Sequence, residues 1–407
     1  MMLARREFLA ATAALAVPRL NAADRFASFD KLMTEFLAEH KVPGAALAVS
    51  QKGEIVHSRG FGFANVETKR KVEADSLFRI ASISKPITAV AVLQLVDAGK
   101  VNLDEPILKF IQLKPHLAAG ARVDPRWHLI TVRHCLHHTG GWDRDKSGDP
   151  IGIPWKIANS LGTTVPVPLE DVIRYTMGRP LDTDPGTRFA YSNLGYLLLG
   201  RVIETATGRT YEEYVRKEVL APLGITTMQL GRALPENRAK GEVSYYDSKK
   251  GTGLCLYPPR VRERVPFPDG AGNLEAYEAH GGWIASAPDL VRFASAFDVP
   301  AACPILSRTA IRTMWARPPG QVGHDAKGNV PDTWYGCGWN VRPTGPNALN
   351  AWHTGLISGT STLLVRRSDG WNWAVLFNTD RSSNGKVLAG LIDPLMHKAA
   401  DEVIAAG

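Results

Sequence analysis

The stretch FRIASISKPITAV, residues 78–90, holds two serines close to a lysine that is followed at once by a proline. Pro86 lacks a backbone N–H and is tolerated only in the first turn of a helix, so the apolar helix that follows is predicted to begin between Ser82 and Lys85. Residues three apart lie on one face of a helix, whereas direct neighbours do not. Ser82, and not Ser84, is therefore expected to hold its hydroxyl beside the Lys85 amine. A serine needs such an activating partner to act as a nucleophile, but a serine at a helix start is also a common cap.

A second candidate group is Tyr191-Ser192-Asn193, in the stretch FAYSNLGY just before another predicted helix. A tyrosine titrates near pH ~10 in water and would be a weak base at neutral pH. Beside Lys85 and a helix end, its phenolate would be stabilised, so we expect a lowered pKa for Tyr191. The alternative is a half-buried structural tyrosine, with Asn193 capping the helix.

A third candidate group is His353-Thr354-Gly355, in the stretch AWHTGLISGTSTLL. In an extended segment His353 and Gly355 point to the same side. Glycine allows a substrate to approach the strand closely, and the N–H of Leu356 can act as an oxyanion donor together with that of Ser82. Taken alone, this tripeptide is equally typical of a strand end or a turn.

Strand patterns occur near both ends of the chain. Two apolar, partly alternating runs flank Lys52-Gly53, which indicates a β-hairpin after an amphipathic first helix. Beyond Cys337 strand patterns return, and the last two are joined by a turn at Ser368-Asp369-Gly370. A final helix is predicted from about Lys386. These patterns predict one sheet built from the two termini and covered by helices.

The middle of the chain is predicted to be mostly helical. One helix follows Asn193 and ends at Gly208, the next starts with a capping box at Thr210, and a third has Ser286 as its N-cap. Residues 230–280 are rich in Gly, Pro and charge without a clear period, so we expect long surface loops there. The prediction is an α/β architecture with a second, all-α lobe and a cleft between the two.

Together, the SxxK, YxN and basic-residue-Thr-Gly motifs resemble those of the serine β-lactamase and penicillin-binding protein superfamily. The specific likeness is to class C β-lactamases, D-alanyl peptidases and β-lactamase-like esterases, which share a tyrosine in the second motif. Further stretches that carry it, such as DPGTRFAYSNLGYLLLGRVIETATG and HGGWIASAPDLVRFASAF, extend over nearly all of the chain after residue 23.

The resemblance implies a β-lactamase/transpeptidase-like α+β fold with an antiparallel sheet built from both termini. It implies one catalytic domain over residues 24–407, with an α/β lobe at about 24–80 and 280–407 and a helical lobe at about 81–279. It also implies site roles: an acyl-enzyme on Ser82, general-base duty shared by Lys85 and Tyr191, orientation of Lys85 or the substrate by Asn193, and a cleft lined by Thr354 and Gly355.

One position departs from the family pattern. The third motif usually starts with a lysine that holds a substrate carboxylate, whereas this chain has His353, which is mostly neutral at pH 7. This weakens the expectation of penicillins or D-Ala-D-Ala termini and favours neutral esters or amides. Lactam turnover stays open.

The N-terminus has the pattern of an export signal. Arg5 and Arg6 precede a short apolar run from Phe8 to Val17, and small residues follow near Ala22. The run is too short to span a bilayer, which takes about 20 residues. Residues 1–23 therefore resemble a twin-arginine signal, which predicts a periplasmic or secreted protein with no transmembrane segment in the mature chain.

Composition sets further limits on partners and cofactors. The net charge is +8, but the charges are interspersed, so we expect no binding to nucleic acid. The four cysteines form no CxxC pair, and disulfide pairing is left open. The histidines of RHCLHHTGGWDRD lack a matching acidic ligand pattern, so we expect neither a metal nor another cofactor.

Two classes of function follow. The first is an exported serine hydrolase that forms an acyl-enzyme on Ser82 and acts on esters or amides, with a β-lactamase or D-alanyl-D-alanine carboxypeptidase as the alternative. The second is a non-catalytic relative that binds cell-wall peptides or serves as a scaffold. All three motifs are present, which favours chemistry.

Overall fold

The computed structural model describes residues 26–324 and 328–406, so the predicted export signal lies outside the described residues. The strands are β1 Gly44–Gln51, β2 Glu54–Asn65, β3 Arg70–Lys71, β4 Phe78–Arg79, β5 Gln229–Leu230, β6 Thr252–Leu254, β7 Arg264–Pro266, β8 Trp283–Ala285, β9 Trp334–Tyr335, β10 Asn340–Gly345, β11 Ala348–Ile357, β12 Thr360–Arg366 and β13 Trp371–Phe377. The α-helices are α1 Ala27–His40, α2 Ser84–Asp97, α3 Val132–Leu136, α4 Arg144–Ser147, α5 Pro154–Leu161, α6 Leu169–Met177, α7 Asn193–Thr207, α8 Tyr211–Tyr214, α9 Glu278–Gly281, α10 Ala287–Ser295, α11 Arg308–Trp315 and α12 Leu388–Ala406.

The main sheet has eight strands in the order β3-β2-β1-β13-β12-β11-β10-β9. Neighbouring strands in it run antiparallel. β1 pairs with β13, with Leu47 opposite Val375, so strands from the two ends of the chain lie side by side at its centre. The predicted fold class, an antiparallel sheet built from both termini and flanked by helices, is confirmed.

The central strands are covered on both faces. On β1, Leu47 and Val49 pack in one apolar cluster with α1 and α12, and Ala46 and Ala48 face the larger cluster on the other side. Helix α10 lies against β1 and β13 on that second side. Because successive side chains of a strand point to opposite faces, a strand buried on both faces is expected to be apolar along most of its length.

The two predicted hairpins are present. Lys52 and Gly53 connect β1 to β2 with φ values of 51° and 89°, as a two-residue hairpin turn with positive φ at both positions requires. β12 and β13 pair across a turn that contains Gly370, whose φ is 79°. Both hairpins have short turns, which fix the register of the strands that they join.

The helices predicted in the middle of the chain are also found. α7 ends at Gly208, which has a left-handed φ of 68°. α8 begins with a capping box between Thr210 and Glu213, and α10 with one between Ser286 and Asp289. Across the described ranges, no helix combines the length and apolar character needed to cross a membrane.

The region from 230 to 280 departs from the prediction of surface loops. Its backbone is mostly irregular, but Val243, Tyr245 and Leu256 are buried in the main core. The Tyr245 hydroxyl accepts a hydrogen bond from the Arg79 backbone N–H and donates one to Glu242. A segment without helical or strand periodicity can therefore still be buried where side chains satisfy its polar groups.

The fold brings the three motifs to one place. Helix α2 is apolar on nearly all sides, is largely buried, and packs against α7 and α9. Strand β11 packs against the 3₁₀ turn Ala81–Ile83, which leads into α2. β11 thus lies beside the turn that leads into α2, and α2 packs in turn against α7. The predicted boundaries of the two lobes stay a prediction.

Candidate active site

Ser82 lies in the 3₁₀ turn directly before α2 and is half-buried. Ala81, the residue before it, has a φ of 47°, a left-handed conformation that is uncommon for alanine. The Ser84 hydroxyl donates a 2.7 Å hydrogen bond to the Ala81 carbonyl and accepts one from the Trp283 N–H at 3.4 Å. Ser84 therefore braces the turn, as a first-turn hydrogen-bonding residue, and Ser82 is the serine left facing Lys85.

Lys85 is fully buried in the first turn of α2. Its Nζ lies 3.0 Å from Ser82 Oγ, 2.9 Å from Asn193 Oδ1 and 2.8 Å from the His280 carbonyl oxygen. Burial lowers the pKa of Lys85 well below its usual value, Asp149 partly opposes this, and Arg144 adds to it. The amine is thus held among three oxygen atoms in surroundings that disfavour its charged form.

Tyr191 joins the same cluster, but the predicted direction of its pKa shift is wrong. The Lys85 Nζ lies 4.8 Å from the centroid of the Tyr191 ring, and the phenol shares a hydrogen bond with Ser82. Burial nevertheless raises the pKa of Tyr191, and the bond to Ser82 offsets this only in part. Because the nearby lysine is itself driven towards the neutral form, it does not supply the positive charge on which the prediction depended.

Asn193 does not cap its helix, which was the alternative interpretation. Ser192 holds the N-cap position of α7 without a side-chain cap, and Asn193 is the first helical residue. The Asn193 carbonyl oxygen accepts from Lys85, and its Nδ2 donates to Asp149 Oδ2 at 2.6 Å. Asn193 therefore bridges the lysine and a carboxylate from another segment of the chain.

The third motif lies on β11, next to the turn that carries Ser82. A Cβ added to Gly355 would overlap the Ile80 carbonyl oxygen and Thr362 Oγ1, so this approach requires glycine. Thr362 in turn donates a 3.1 Å hydrogen bond to that same carbonyl. Leu356 follows Gly355 and is partly exposed. The oxyanion roles of Leu356 and Thr354 stay predictions.

His353 is buried and is hydrogen-bonded within the protein. Its Nε2 lies 3.0 Å from the Tyr335 hydroxyl, and its Nδ1 lies 2.7 Å from the Thr354 carbonyl oxygen. Because a carbonyl only accepts, Nδ1 carries the proton and Nε2 accepts from Tyr335. Burial lowers the pKa of His353 to about 3, and Lys85 contributes to this. The predicted neutrality of this side chain at pH 7 agrees with this shift.

Comparison with known proteins decides the family. The Beta-lactamase family model matches residues 29–395. This chain belongs to the Beta-lactamase family. It is 34% identical over 264 residues to esterase EstB of Burkholderia gladioli, which is 62% of each chain. It is 26% identical over 336 residues to penicillin-binding protein 4* of Bacillus subtilis, which is 81% of this chain and 66% of that one.

Solved structures agree with this assignment. The structure of the octameric penicillin-binding protein homologue from Pyrococcus abyssi superposes with a TM-score of 0.67 at 26% identity, covering 91% of this chain and 77% of that one. The matched regions span less than two thirds of the length of both curated relatives. The resemblance inferred from the three motifs is confirmed at the level of the family.

The family motifs do not include two charged residues that the structure places at the site. Asp149 bonds to Asn193, and Arg144 lies with its guanidinium carbon 4.8 Å from the Tyr191 ring centroid. Both belong to the loop 141–150, which has the sequence GWDRDKSGDP. The many charged residues of this loop are the sequence signal that could have pointed to a role at the site.

The three neighbouring histidines have hydrogen bonds of their own. His134 Nδ1 accepts from the Thr131 N–H in the capping box of α3, and His138 Nδ1 accepts from the Ser192 N–H. His137 is buried, and its Nδ1 lies 3.3 Å from the Tyr335 carbonyl. Among the described residues no group of His, Cys, Asp or Glu is arranged to hold a metal ion, and the four cysteines are free.

Proposed function

We propose that this protein is a serine hydrolase that cleaves carboxylic esters or amides through an acyl-enzyme on Ser82. The observation that carries the proposal is the 3.0 Å contact between Ser82 Oγ and the buried Lys85 Nζ. Membership of the Beta-lactamase family supports it, and so does the similarity to a relative named as an esterase. A nucleophile, a base and an orienting group within hydrogen-bond reach are the geometric signature of such chemistry.

The contacts favour Lys85, rather than Tyr191, as the base. A neutral amine has two N–H donors and one lone pair. The Asn193 carbonyl oxygen and the His280 carbonyl can only accept, so they take the two N–H groups and leave the lone pair for the Ser82 hydroxyl. Burial favours this neutral form and also keeps the Tyr191 phenol protonated.

The reaction follows from this arrangement. Ser82 Oγ attacks the substrate carbonyl carbon while its proton passes to Lys85 Nζ, and the oxyanion points to the N–H groups of Ser82 and Leu356. Collapse breaks the C–O or C–N bond, and the proton that Lys85 Nζ took from Ser82 passes to the leaving group. Water then attacks the acyl-enzyme by the same proton path in reverse and releases the acid.

Labelling tests the proposal. A fluorophosphonate probe followed by peptide mass spectrometry is expected to give one adduct, on Ser82. The Ser82→Ala variant should lose the adduct, and Ser84→Ala, the matched control two residues away, should keep it. A folded wild-type protein without an adduct on Ser82 would leave only the second class of function, a non-catalytic binding or scaffold protein.

A substrate panel tests the finer assignment. We propose esters or amides as the main substrates, and the panel compares 4-nitrophenyl acyl esters, a chromogenic cephalosporin and a D-Ala-D-Ala peptide that represents cell-wall peptides. The highest kcat/KM is expected for an ester. A higher value for the cephalosporin or the peptide would instead identify a β-lactamase or a D-alanyl-D-alanine carboxypeptidase.

We also propose that the protein is exported, on the basis of the adjacent Arg5 and Arg6 before a short apolar run. Periplasmic and cytoplasmic fractions of a bacterial host are to be compared for the full chain and for the Arg5→Lys/Arg6→Lys variant. The full chain should accumulate outside the cytoplasm and the variant within it. Equal distribution of the two would contradict a twin-arginine signal.

A further inference from the structure

Arg144 is a cation at the mouth of the site. It is exposed at the start of α4, with its guanidinium carbon 4.8 Å from the centroid of the Tyr191 ring. The nearby acids are engaged elsewhere, because Asp143 lies 3.3 Å from Arg188 and Asp149 bonds to Asn193. Within the described ranges the Arg144 guanidinium pairs with no carboxylate.

The two other candidates for anion binding near the nucleophile, His353 and Lys85, offer no accessible charge. His353, at the start of the third motif, is buried and accepts a hydrogen bond from Tyr335. Lys85 is buried and has its Nζ occupied by three oxygen atoms. Arg144 is thus the charged group placed to meet an anionic substrate, and a guanidinium matches a carboxylate with two parallel hydrogen bonds.

We infer that Arg144 forms a carboxylate subsite, so that the preferred substrates are esters or amides with a carboxylate about three to five bonds from the reacting carbonyl carbon. The inference rests on the proposed function and names its substrate class. The Tyr191 ring contacts Arg144, and the Tyr191 hydroxyl shares a hydrogen bond with Ser82. The guanidinium carbon is therefore at most about 11 Å from Ser82 Oγ, and a forked ion pair takes up about 4 Å of that span.

A second interpretation of the same contact is that Arg144 acts on the reactive groups only through its charge. The Arg144 guanidinium adds to the lowering of the Lys85 pKa and offsets part of the rise in the Tyr191 pKa. An effect of that kind would be the same for every substrate, because it changes the enzyme before any substrate is bound. A carboxylate subsite, in contrast, discriminates between charged and neutral substrates.

The test compares matched substrates on the Arg144→Gln variant. 4-Nitrophenyl butyrate is the neutral ester, mono-4-nitrophenyl glutarate carries the carboxylate on the acyl side, and 3-butyryloxybenzoate carries it on the leaving group. Lys146→Gln is the control, since Lys146 is exposed on the same short helix. Thermal unfolding of each variant checks that the fold is kept, and kcat/KM is measured where it no longer changes with pH.

For Arg144→Gln we expect kcat/KM to fall at least about tenfold on one of the anionic esters and to stay within about threefold on the neutral ester. The ester that responds identifies the side of the scissile bond on which the carboxylate lies. Added salt should slow the wild type on that ester and have little effect on the variant. Lys146→Gln should behave as the wild type.

Equal losses on neutral and anionic esters, or no loss on any, would overturn the subsite. Either result leaves the proposed function standing as long as Ser82 is still labelled by the fluorophosphonate. Absence of labelling in the wild type would instead remove the proposed function itself.

Discussion

Asp149→Asn tests whether the lysine is the base. Asp149 raises the pKa of Lys85, against the larger effect of burial. Removing its charge is therefore expected to lower the pKa of Lys85 further and to move the acidic limb of the kcat/KM profile to lower pH. The limb of the kcat/KM profile reports the free enzyme, in which the amine must be neutral to accept the Ser82 proton.

The magnitude follows from the bridge through Asn193. The Asn193 amide contacts Lys85 Nζ through Oδ1 at 2.9 Å and Asp149 Oδ2 through Nδ2 at 2.6 Å. Its own oxygen and nitrogen are about 2.3 Å apart, so the charges of Lys85 and Asp149 are at most about 8 Å apart. At an effective dielectric constant of about 20 their attraction is about 2 kcal/mol. Asp149 is half-exposed, and solvent screening reduces this to about 1 kcal/mol, or about fivefold in an equilibrium constant.

Other charged or titratable groups also face the lysine, and they stay in place in this variant. They come from the helices, the loop and the sheet that surround it: Tyr191, Tyr196, His138, Arg144, His280 and His353. The substitution therefore changes one charge in an otherwise constant environment. A neutral ester is the substrate, so that Arg144 plays no part in binding it.

The assay follows the hydrolysis of 4-nitrophenyl butyrate and determines kcat/KM from the acidic limb to the plateau. At a fixed pH on the acidic limb, kcat/KM divided by its plateau value should be about fivefold higher for Asp149→Asn than for the wild type. Asp145→Asn, which changes an exposed carboxylate of the same loop, should leave the ratio unchanged. If this normalised kcat/KM is the same for Asp149→Asn as for the wild type, or lower, the pKa of the group that controls the limb does not depend on the charge of Asp149. The assignment of Lys85 as the base is then refuted.

Two further predictions concern the turn that holds the nucleophile. Gly355→Ala should lower kcat/KM at least about tenfold, because the added Cβ would overlap the Ile80 carbonyl oxygen and push β11 away from the turn, and overpacking of this kind costs about 1–3 kcal/mol. Unchanged kinetics and an unchanged melting temperature would contradict the reasoning. Ser84→Ala should lower the free energy of unfolding by about 1–3 kcal/mol, since the Ala81 carbonyl loses its 2.7 Å hydrogen bond in a buried position. A urea titration measures this loss, and a stability equal to that of the wild type would show that the brace contributes nothing.

Features that depend on local spacing could be predicted from the sequence. The choice of Ser82 over Ser84 needed only the helical repeat and the position of Pro86, and both hold in the structure. The sheet could be predicted because its hairpin turns are short and its central strands are apolar, as at Leu47 and Val375. In each case neighbouring residues determine the conformation, so a window of the sequence carries the information.

Features that depend on burial could not be predicted in the same way. Burial of Tyr191 itself raises its pKa, and Lys85 is buried too, but neither motif gives a measure of burial. The residues 230–280 lack any period, yet Tyr245 fills the core because distant groups satisfy its hydroxyl. Asp149 reaches Asn193 across 44 positions of the chain, through a loop whose path no pattern predicts.

Two observations lead to opposite expectations for the charge of the substrate: the residue at the first position of the third motif, and the charged groups that the structure places at the site. From the sequence, a neutral His353 in place of lysine favoured neutral esters. In the structure that histidine accepts a hydrogen bond from Tyr335, and Arg144, from the loop 141–150, places a permanent positive charge beside the Tyr191 ring. A site's preference for anions depends on the field at the reacting carbonyl, whichever segment supplies the cation. The ratio of the kcat/KM values for the glutarate and butyrate esters therefore decides between the two expectations. A preference for the neutral butyrate would support the expectation based on His353, and a preference for the anionic glutarate would support the one based on Arg144.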